Sequence, residues 1–271
     1  MQDRFETLAR GGYLARGVVY LLLGGLAVSS ALYGGGEGTD SSDALSSLLA
    51  LPFGRLLLGL VAIGLIGYVL WKLAQGLLNA DHHDDDAKGL FARAGQLISG
   101  GVNLFLALSA ARLALSLGAS GGDGEQNASA WLLQQPFGPA LLGLVGLGVL
   151  VAAGLQIWYG VSHGYAKRLS LPSGQQTWMD PVCVFGIAAR GVVLAIIGGF
   201  LVMAAFSVSP EQAGGTAEAL DYVHALPFGR ILYGIAALGL VAFGGYSIIQ
   251  GLYRRMDAPG LADIRRAVPG V

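Results

Sequence analysis

The sequence predicts an all-α polytopic membrane protein with six transmembrane helices, arranged as three parallel helix-hairpin repeats around a pseudo-threefold axis. An apolar composition, six runs of membrane-spanning length and a motif found three times along the chain predict this fold. Hydrophobic residues account for 54% of the 271 positions and charged residues for 12%, about half the charged fraction of an ordinary soluble domain. The net charge of −1 gives no basic field, so we expect no nucleic acid as a partner.

The six apolar runs are each long enough to cross a bilayer, which takes about 20 residues of helix. They occupy residues 13–33, 53–78, 94–117, 137–161, 184–208 and 228–253. Each run is bounded by a polar, charged or glycine-rich segment. One soluble domain of this length could not bury six such helices, so we interpret them as transmembrane spans.

The distribution of positive charge predicts the orientation of these spans. The connecting segments 34–52, 118–136 and 209–227 contain acidic residues but no lysine or arginine, whereas each of the other polar segments contains lysine or arginine. Positively charged loops are retained in the cytoplasm. We therefore expect a multi-pass protein of the inner (plasma) membrane whose termini, including a tail at 256–271, are cytoplasmic.

A Pro-Phe-Gly motif marks the start of every second span. Its copies are Pro52-Phe53-Gly54, Pro136-Phe137-Gly138 and Pro227-Phe228-Gly229. The preceding spans share a second motif, which reads Ala15-Arg16-Gly17, Ile98-Ser99-Gly100 and Ala189-Arg190-Gly191. These matches divide one membrane domain, 1–271, into repeats at 8–81, 90–166 and 182–255. Because each repeat holds two spans, all three have the same orientation, which predicts the pseudo-threefold arrangement.

The Pro-Phe-Gly motif also predicts local structure. Proline suits the first position of a helix, where its missing N–H would be unpaired, so we expect the second helix of each repeat to begin there. Short interfacial helical segments are expected just before it, at 44–50, 129–134 and 217–224. The second helices share glycines five residues apart, so we expect them to pack on more than one side while the first helices face more lipid.

These two motifs, with Gln75-Gly76 and Gln250-Gly251, resemble the bacterial membrane family called domain of unknown function 1206. The resemblance covers nearly the whole chain as three copies. It implies a six-span protein of the bacterial inner membrane and implies no activity. The middle copy departs from the pattern at Ser99, Pro139 and Tyr159, so the repeats do not supply three equivalent arginines or glutamines.

Arg16 and Arg190, with Gln75 and Gln250, form the candidate ligand- or lipid-binding set. Arg190 stands inside an apolar run and must find a partner or extend to the interface. One interpretation is a site for an anion or lipid phosphate near the cytoplasmic surface. The alternative is structural: the arginines extend to the interface, or bond the helix-end carbonyls near the two glutamines. Lys72 is expected to extend to the cytoplasmic interface.

The sequence gives little support for a metal site, a bound cofactor or a catalytic site. His82 and His83 precede three aspartates and are weak metal-ligand candidates, because a flexible acidic loop fixes no coordination geometry. We predict no metal and no cofactor; the histidines fall at interfaces or in loops, away from where haem would need them. The sequence has no nucleophile, metalloprotease or nucleotide-binding motif. We therefore expect that the protein is not an enzyme.

The function most favoured by the sequence is that of a non-enzymatic structural or accessory protein, or a lipid-contacting scaffold. Its partners would be membrane lipids and a partner membrane protein or a second copy. The alternative is a channel or facilitator for a small or anionic solute, with a site near the cytoplasmic arginines. A lining that is basic and free of acids would favour anions. The absence of acids within the spans argues against coupling to protons or cations.

Overall fold

A computed structural model describes residues 2–33, 41–81, 86–117, 124–170 and 174–255. The helices in these segments are α1 (Gln2–Tyr33), α2 (Ser41–Leu49), α3 (Gly54–Leu77), α4 (Ala87–Ala114), α5 (Gly124–Leu133), α6 (Gly138–Val161), α7 (Gln176–Ser207), α8 (Thr216–Ala225) and α9 (Gly229–Tyr253). Short 3₁₀ turns occupy Gly164–Arg168 and Pro210–Gln212. The predicted tail at 256–271 lies outside the described residues.

Six of these helices, α1, α3, α4, α6, α7 and α9, are long and apolar enough to cross a membrane. The prediction of a six-span, all-α membrane protein is confirmed. The other three helices, α2, α5 and α8, are the short segments expected before each Pro-Phe-Gly motif. Repeat one consequently contains α1–α3, repeat two α4–α6 and repeat three α7–α9.

The spanning helices follow the order of a pseudo-threefold ring that is interrupted at one place. Neighbouring repeats meet through α3 on α4, α6 on α7 and α9 on α1. Within repeats one and three, α1 packs on α3 and α7 packs on α9. The corresponding contact of repeat two is missing, because α4 and α6 share no extensive interface in the described part of the chain. The ring therefore has an opening between α4 and α6.

The Pro-Phe-Gly motif forms a tight junction whose geometry differs from the prediction. The helices begin at the glycine rather than at the proline, and the phenylalanine between them is left-handed, with φ of 60°, 62° and 61° in the three copies. Each glycine N–H donates to the carbonyl three residues earlier, at 2.7–2.9 Å. The expectation of proline at the first helical position is wrong, because the proline belongs to the turn leaving the short helix.

The glycine of the motif is required by the closeness of the preceding short helix. A Cβ at Gly54 would lie 2.3 Å from the Leu48 carbonyl oxygen, and one at Gly229 would lie 1.8 Å from that of His224. No side chain fits at such distances. The three phenylalanines, by contrast, are exposed, as is typical of aromatic residues that anchor a helix end at a membrane interface.

The burial of each span depends on how many neighbours it has in the interrupted ring. The most buried spans are α3 and α9, as expected for second helices of the repeats. The least buried is α6, also a second helix, so that expectation is wrong for repeat two. The reason is the missing neighbour, since α6 packs on α7 but leaves its α4-facing side uncovered.

Candidate functional site

Arg16 and Arg190 come from different repeats and converge inside the bundle on the same two aromatic rings. The guanidinium carbon of Arg16 lies 5.6 Å from the Tyr20 ring centroid and 4.8 Å from that of Phe243. The corresponding distances for Arg190 are 5.7 and 4.9 Å. The rings of Tyr20 and Phe243 pack edge to face at 4.8 Å. Both guanidiniums are thus held by the electron-rich faces of the same two rings.

The hydrogen-bond partners of both arginines are neutral groups within the bundle. Arg16 Nη1 donates to the Tyr68 hydroxyl at 2.6 Å, and Arg190 Nε donates to the Tyr20 hydroxyl at 3.0 Å. Arg190 Nη1 also donates to Gln156 Oε1. Both side chains are directed at interior groups, which differs from the structural alternative of extension to the interface.

Lys72 is a third cation at the same place, which the sequence analysis missed. Its side chain is 7% exposed, its ammonium lies 5.2 Å from the Tyr68 ring centroid, and it donates to Gln96 Oε1. The expectation that Lys72 extends to the interface is wrong, because Gln96 of α4 and the Tyr68 ring hold the ammonium inside. We call Arg16, Lys72 and Arg190, with Tyr20, Tyr68 and Phe243, the interior cation cluster.

The repeat pattern explains why these groups share one layer of the bundle. Lys72, Gln156 and Ser247 each follow the phenylalanine of their own motif by nineteen residues. Ser99 is the repeat-two counterpart of Arg16 and Arg190, and its side chain lies near the Tyr68 hydroxyl. Equivalent positions in three parallel repeats lie at equal depth, so all three repeats supply polar side chains to one level of the membrane.

The ion pairs formed by Glu6, Asp81 and Asp180 in the described segments include no member of the interior cation cluster. Asp81 is near enough to Lys72 for the ammonium to help lower the pKa of that carboxyl, so Arg16 and Arg190 are the cations of the cluster without a described carboxylate partner. Arg16 is 8% exposed, yet its Nε has no hydrogen-bond partner in the part of the chain that the structure describes. A buried cation without a counter-charge costs several kcal/mol, of which cation–π contacts offset about 0.5–2 kcal/mol each.

Gln75 and Gln250 do not join the two arginines. Gln75 Nε2 donates to Asp81 Oδ2 at 2.7 Å, and that carboxylate pairs with Arg168 at 2.9 Å and with Arg254 at 3.1 Å. Gln250 is buried, with no hydrogen-bond partner for its Oε1. The predicted four-residue set is therefore divided between two places in the fold. We call Gln75, Asp81, Arg168 and Arg254 the end cluster, since it lies where α3, α6 and α9 end.

The electrostatics of the end cluster are those of a compensated site. Burial raises the pKa of the Asp81 carboxyl, but the guanidiniums of Arg254 and Arg168 lower it further, so the pKa of Asp81 lies below its ordinary value. The carboxylate thus stays ionised beside its partners. The cluster joins the ends of all three repeats, because Asp81 follows α3, Arg168 follows α6 and Arg254 follows α9.

Other arginines bond the helix-end carbonyls, a role that one interpretation gave to Arg16 and Arg190. Arg10 Nη1 donates to the carbonyls of Gly251 and Leu252 at 3.1 and 2.9 Å. Arg93 donates to those of Gly76 and Leu77 at 2.9 and 3.2 Å. Arg10 and Arg93 occupy equivalent positions in repeats one and two, and that recurrence was the available signal.

The weak metal-ligand candidates, His82 and His83, lie outside the described residues. In the segments that the structure describes, no group of three or more His, Cys, Asp or Glu side chains is placed to hold a metal ion. His163 pairs with Asp180 at 3.0 Å near the start of α7. That pair supplies too few ligands for a metal centre.

Comparisons with known proteins agree with this architecture. A family model described as Domain of Unknown Function (DUF1206) matches residues 11–79, 94–163 and 185–254. "Uncharacterized protein YxxB" of Bacillus subtilis (strain 168) is 36% identical over 257 residues, which cover 93% of this chain and 92% of that protein. No solved structure matches. The chain belongs to the family described as Domain of Unknown Function (DUF1206), as a membrane protein of three tandem two-span repeats.

Proposed function

We propose that this protein is a non-enzymatic membrane scaffold or accessory subunit that binds an anionic group in its interior cation cluster. The observation that carries the proposal is that Arg16 and Arg190 converge on Tyr20 and Phe243, with Lys72 nearby, while none of the three forms an ion pair with a carboxylate in the described residues. An anion would supply the missing counter-charge and an acceptor for Arg16 Nε. Guanidinium groups suit this task, because their donors match the geometry of phosphate and carboxylate oxygens.

The chemistry of the cluster supports binding rather than catalysis. Its cations are donors, and the hydroxyls of Tyr20 and Tyr68 accept hydrogen bonds from arginines. The sequence adds no catalytic motif. A site built of donors and aromatic faces stabilises a bound anion without an evident general base or nucleophile.

We place the protein in the inner membrane with its termini in the cytoplasm. The support is the exclusion of lysine and arginine from segments 34–52, 118–136 and 209–227. A reporter enzyme fused after Val271 should be active only if its reaction requires the cytoplasm. Activity of a periplasm-specific reporter at that position would contradict the orientation.

A facilitator for a small anionic solute is the second candidate, favoured by the burial of the cluster. Arg16 is 8% exposed and lies inside the apolar run 13–33. Ionisable residues inside a membrane bundle often mark the path or binding site of a substrate or ion. Anion flux into liposomes containing the wild-type protein, absent with the Arg16→Gln/Arg190→Gln variant, would favour this candidate over a scaffold.

The proposal is tested by the response of the purified protein to anions. We expect phosphate or an anionic lipid to raise the melting temperature of the wild type and to leave Arg16→Gln/Arg190→Gln unchanged. The matched control is Arg230→Gln, because Arg230 bonds the carbonyls of Ala31 and Leu32 far from the cluster. This control should keep the full response. An equal response in the double variant, or none in the wild type, would contradict anion binding.

Native mass spectrometry after gentle solubilisation tests the same proposal without an added probe. A retained anionic lipid in the wild type, lost in Arg16→Gln/Arg190→Gln, would agree with it. A stoichiometric partner protein would support the accessory role. Retention of the same lipid by the double variant would show that binding occurs elsewhere.

A further inference from the structure

Repeats one and three close the contact between their two spanning helices in the same way. A Cβ added to Gly64 of α3 would lie 2.5 Å from the Cβ of Ala15 in α1. In repeat three, a Cβ added to Gly239 of α9 would lie 2.1 Å from the Cβ of Ala189 in α7. Each interface thus places an alanine directly against a glycine, which allows close approach of the backbones.

Repeat two has the same glycines but leaves them uncovered. Gly148 is the counterpart of Gly64 and Gly239, and a Cβ built on it meets nothing within 4 Å. Gly95 of α4 is the counterpart of Gly12 and Gly186, both of which touch a neighbouring backbone, and it also meets nothing. The surfaces that pack in the other two repeats therefore face the opening between α4 and α6.

One difference between the repeats lies where the other two helix pairs make their closest contact. The counterpart of Ala15 and Ala189 in repeat two is Ile98, which is 68% exposed. In the closed repeats the alanine methyl already fills the space before the glycine. The three additional carbons of isoleucine would have no room in such a contact, so Ile98 opposes the same close approach of α4 and α6.

The two helices that border the opening also contact the interior cation cluster. On α4, Gln96 accepts a hydrogen bond from Lys72, and Ser99 lies near Tyr68. On α6, Gln156 accepts from Arg190. The opening is walled by exposed apolar side chains, among them Ile98 and Val151. The uncovered apolar faces of α4 and α6 therefore belong to the same two helices that contact the buried cations.

We propose that the opening between α4 and α6 admits the acyl chains of an anionic phospholipid whose phosphate is bound by Arg16, Lys72 and Arg190. The inference rests on the proposed anion binding and adds the chemical class and the entry path. Apolar walls match acyl chains, and three cations match a headgroup that has a phosphate and no amine. A free anion would have no use for the apolar walls, and an apolar partner helix would leave the cations without a counter-charge.

The test uses the full chain in phosphatidylcholine nanodiscs doped with phosphatidylglycerol, with bound lipid counted by native mass spectrometry. Gly148→Trp fills the opening, and Ile98→Ala lets it close as in the other repeats. Both should weaken phosphatidylglycerol retention by about tenfold, a ratio that corresponds to 1.4 kcal/mol. The matched control is Gly234→Trp, because a Cβ at Gly234 also meets nothing within 4 Å but lies on α9. It should retain the lipid as the wild type does.

The possible outcomes distinguish failure of the lipid entry path from failure of the proposed anion binding. Wild-type retention by both Gly148→Trp and Ile98→Ala, with loss in Arg16→Gln/Arg190→Gln, would overturn the lipid entry path and leave anion binding intact. Binding of inorganic phosphate in place of phosphatidylglycerol would also overturn the entry path and leave anion binding intact. A dimer whose interface covers the opening between α4 and α6 would have the same meaning. Equal loss in Gly234→Trp would also overturn the entry path. Retention by the double arginine variant would overturn both.

Discussion

The interior cation cluster and the end cluster both contain a buried arginine, and they differ in what balances its charge. Arg16 and Arg254 are similarly buried, at 8% and 4% exposure, and both stand over aromatic rings. Arg254 also has Asp81 as a counter-charge, whereas Arg16 has no described carboxylate. The end cluster thus has its counter-charge within the chain, although Arg254 Nε and Gln75 Oε1 lack hydrogen-bond partners among the described residues, as Arg16 Nε does. In our proposal the interior cluster obtains its counter-charge from a bound anion, and this difference in charge separates a structural site from a binding site.

The largest expected effect comes from removing the counter-charge of the end cluster. Asp81→Asn should lower the free energy of unfolding by about 3–5 kcal/mol, because it leaves the buried Arg254 uncompensated. Chemical denaturation in detergent measures the change. Arg168→Gln is the control and should cost under about 1 kcal/mol, since the Arg168 side chain is 34% exposed. A loss for Asp81→Asn as small as that of the control would contradict a stabilising role for Asp81.

Acidification should remove the same stabilisation reversibly. The pKa of Asp81 is lowered in the folded state, so its contribution is fully present above the unfolded pKa, near 4, and is lost as pH falls through the folded pKa. The stability difference between wild type and Asp81→Asn should stay constant from neutral pH to about 5 and shrink below about 4. A difference that already shrinks between pH 7 and 5 would contradict the lowered pKa.

A smaller effect is expected when the interior cluster loses a neutral partner. Tyr68→Phe removes the acceptor of Arg16 Nη1 and should lower the free energy of unfolding of the ligand-free protein by about 1–3 kcal/mol. Tyr33→Phe, at the exposed end of α1, should change nothing measurable. Binding of an anion should reduce the loss, because the anion supplies another acceptor. No loss in the ligand-free protein would mean that Arg16 is stabilised elsewhere.

The smallest effect on stability is expected where the effect on binding is largest. In ligand-free protein, Arg16→Gln/Arg190→Gln should change the free energy of unfolding by under about 1 kcal/mol or raise it, since it removes two like charges that lack counter-ions. Differential scanning of delipidated protein provides the measurement. A loss as large as that of Asp81→Asn would indicate a structural role for Arg16 and Arg190 and would contradict the difference between the two clusters.

The sequence was sufficient for the spans and the repeats because both are local patterns. Apolar runs and the Pro-Phe-Gly copies can be read along the chain, and a charge within an apolar run marks Arg190 without further information. The inward direction of Lys72 could not be predicted, since a lysine near a helix end extends to water unless a partner such as Gln96 faces it. The pairing of Gln75 with Asp81 likewise depends on how the chain turns after α3.

The sequence contains the difference between repeats that lies at the opening between α4 and α6, but the structural consequence of that difference could not be predicted from the sequence. Ile98 replaces Ala15 and Ala189. That replacement matters only once the alanine is known to lie against a glycine of the partner helix. The junction at Phe53 was missed for a related reason, since the left-handed backbone depends on the close approach of α2.

The most direct test of the central claim is an experimental density map of the protein isolated with its native lipids. We predict density for an anionic group within hydrogen-bonding distance of Arg16 Nε, shared with Arg190 and Lys72. Guanidiniums paired with a carboxylate of the protein itself, or surrounded by water alone, would contradict the claim.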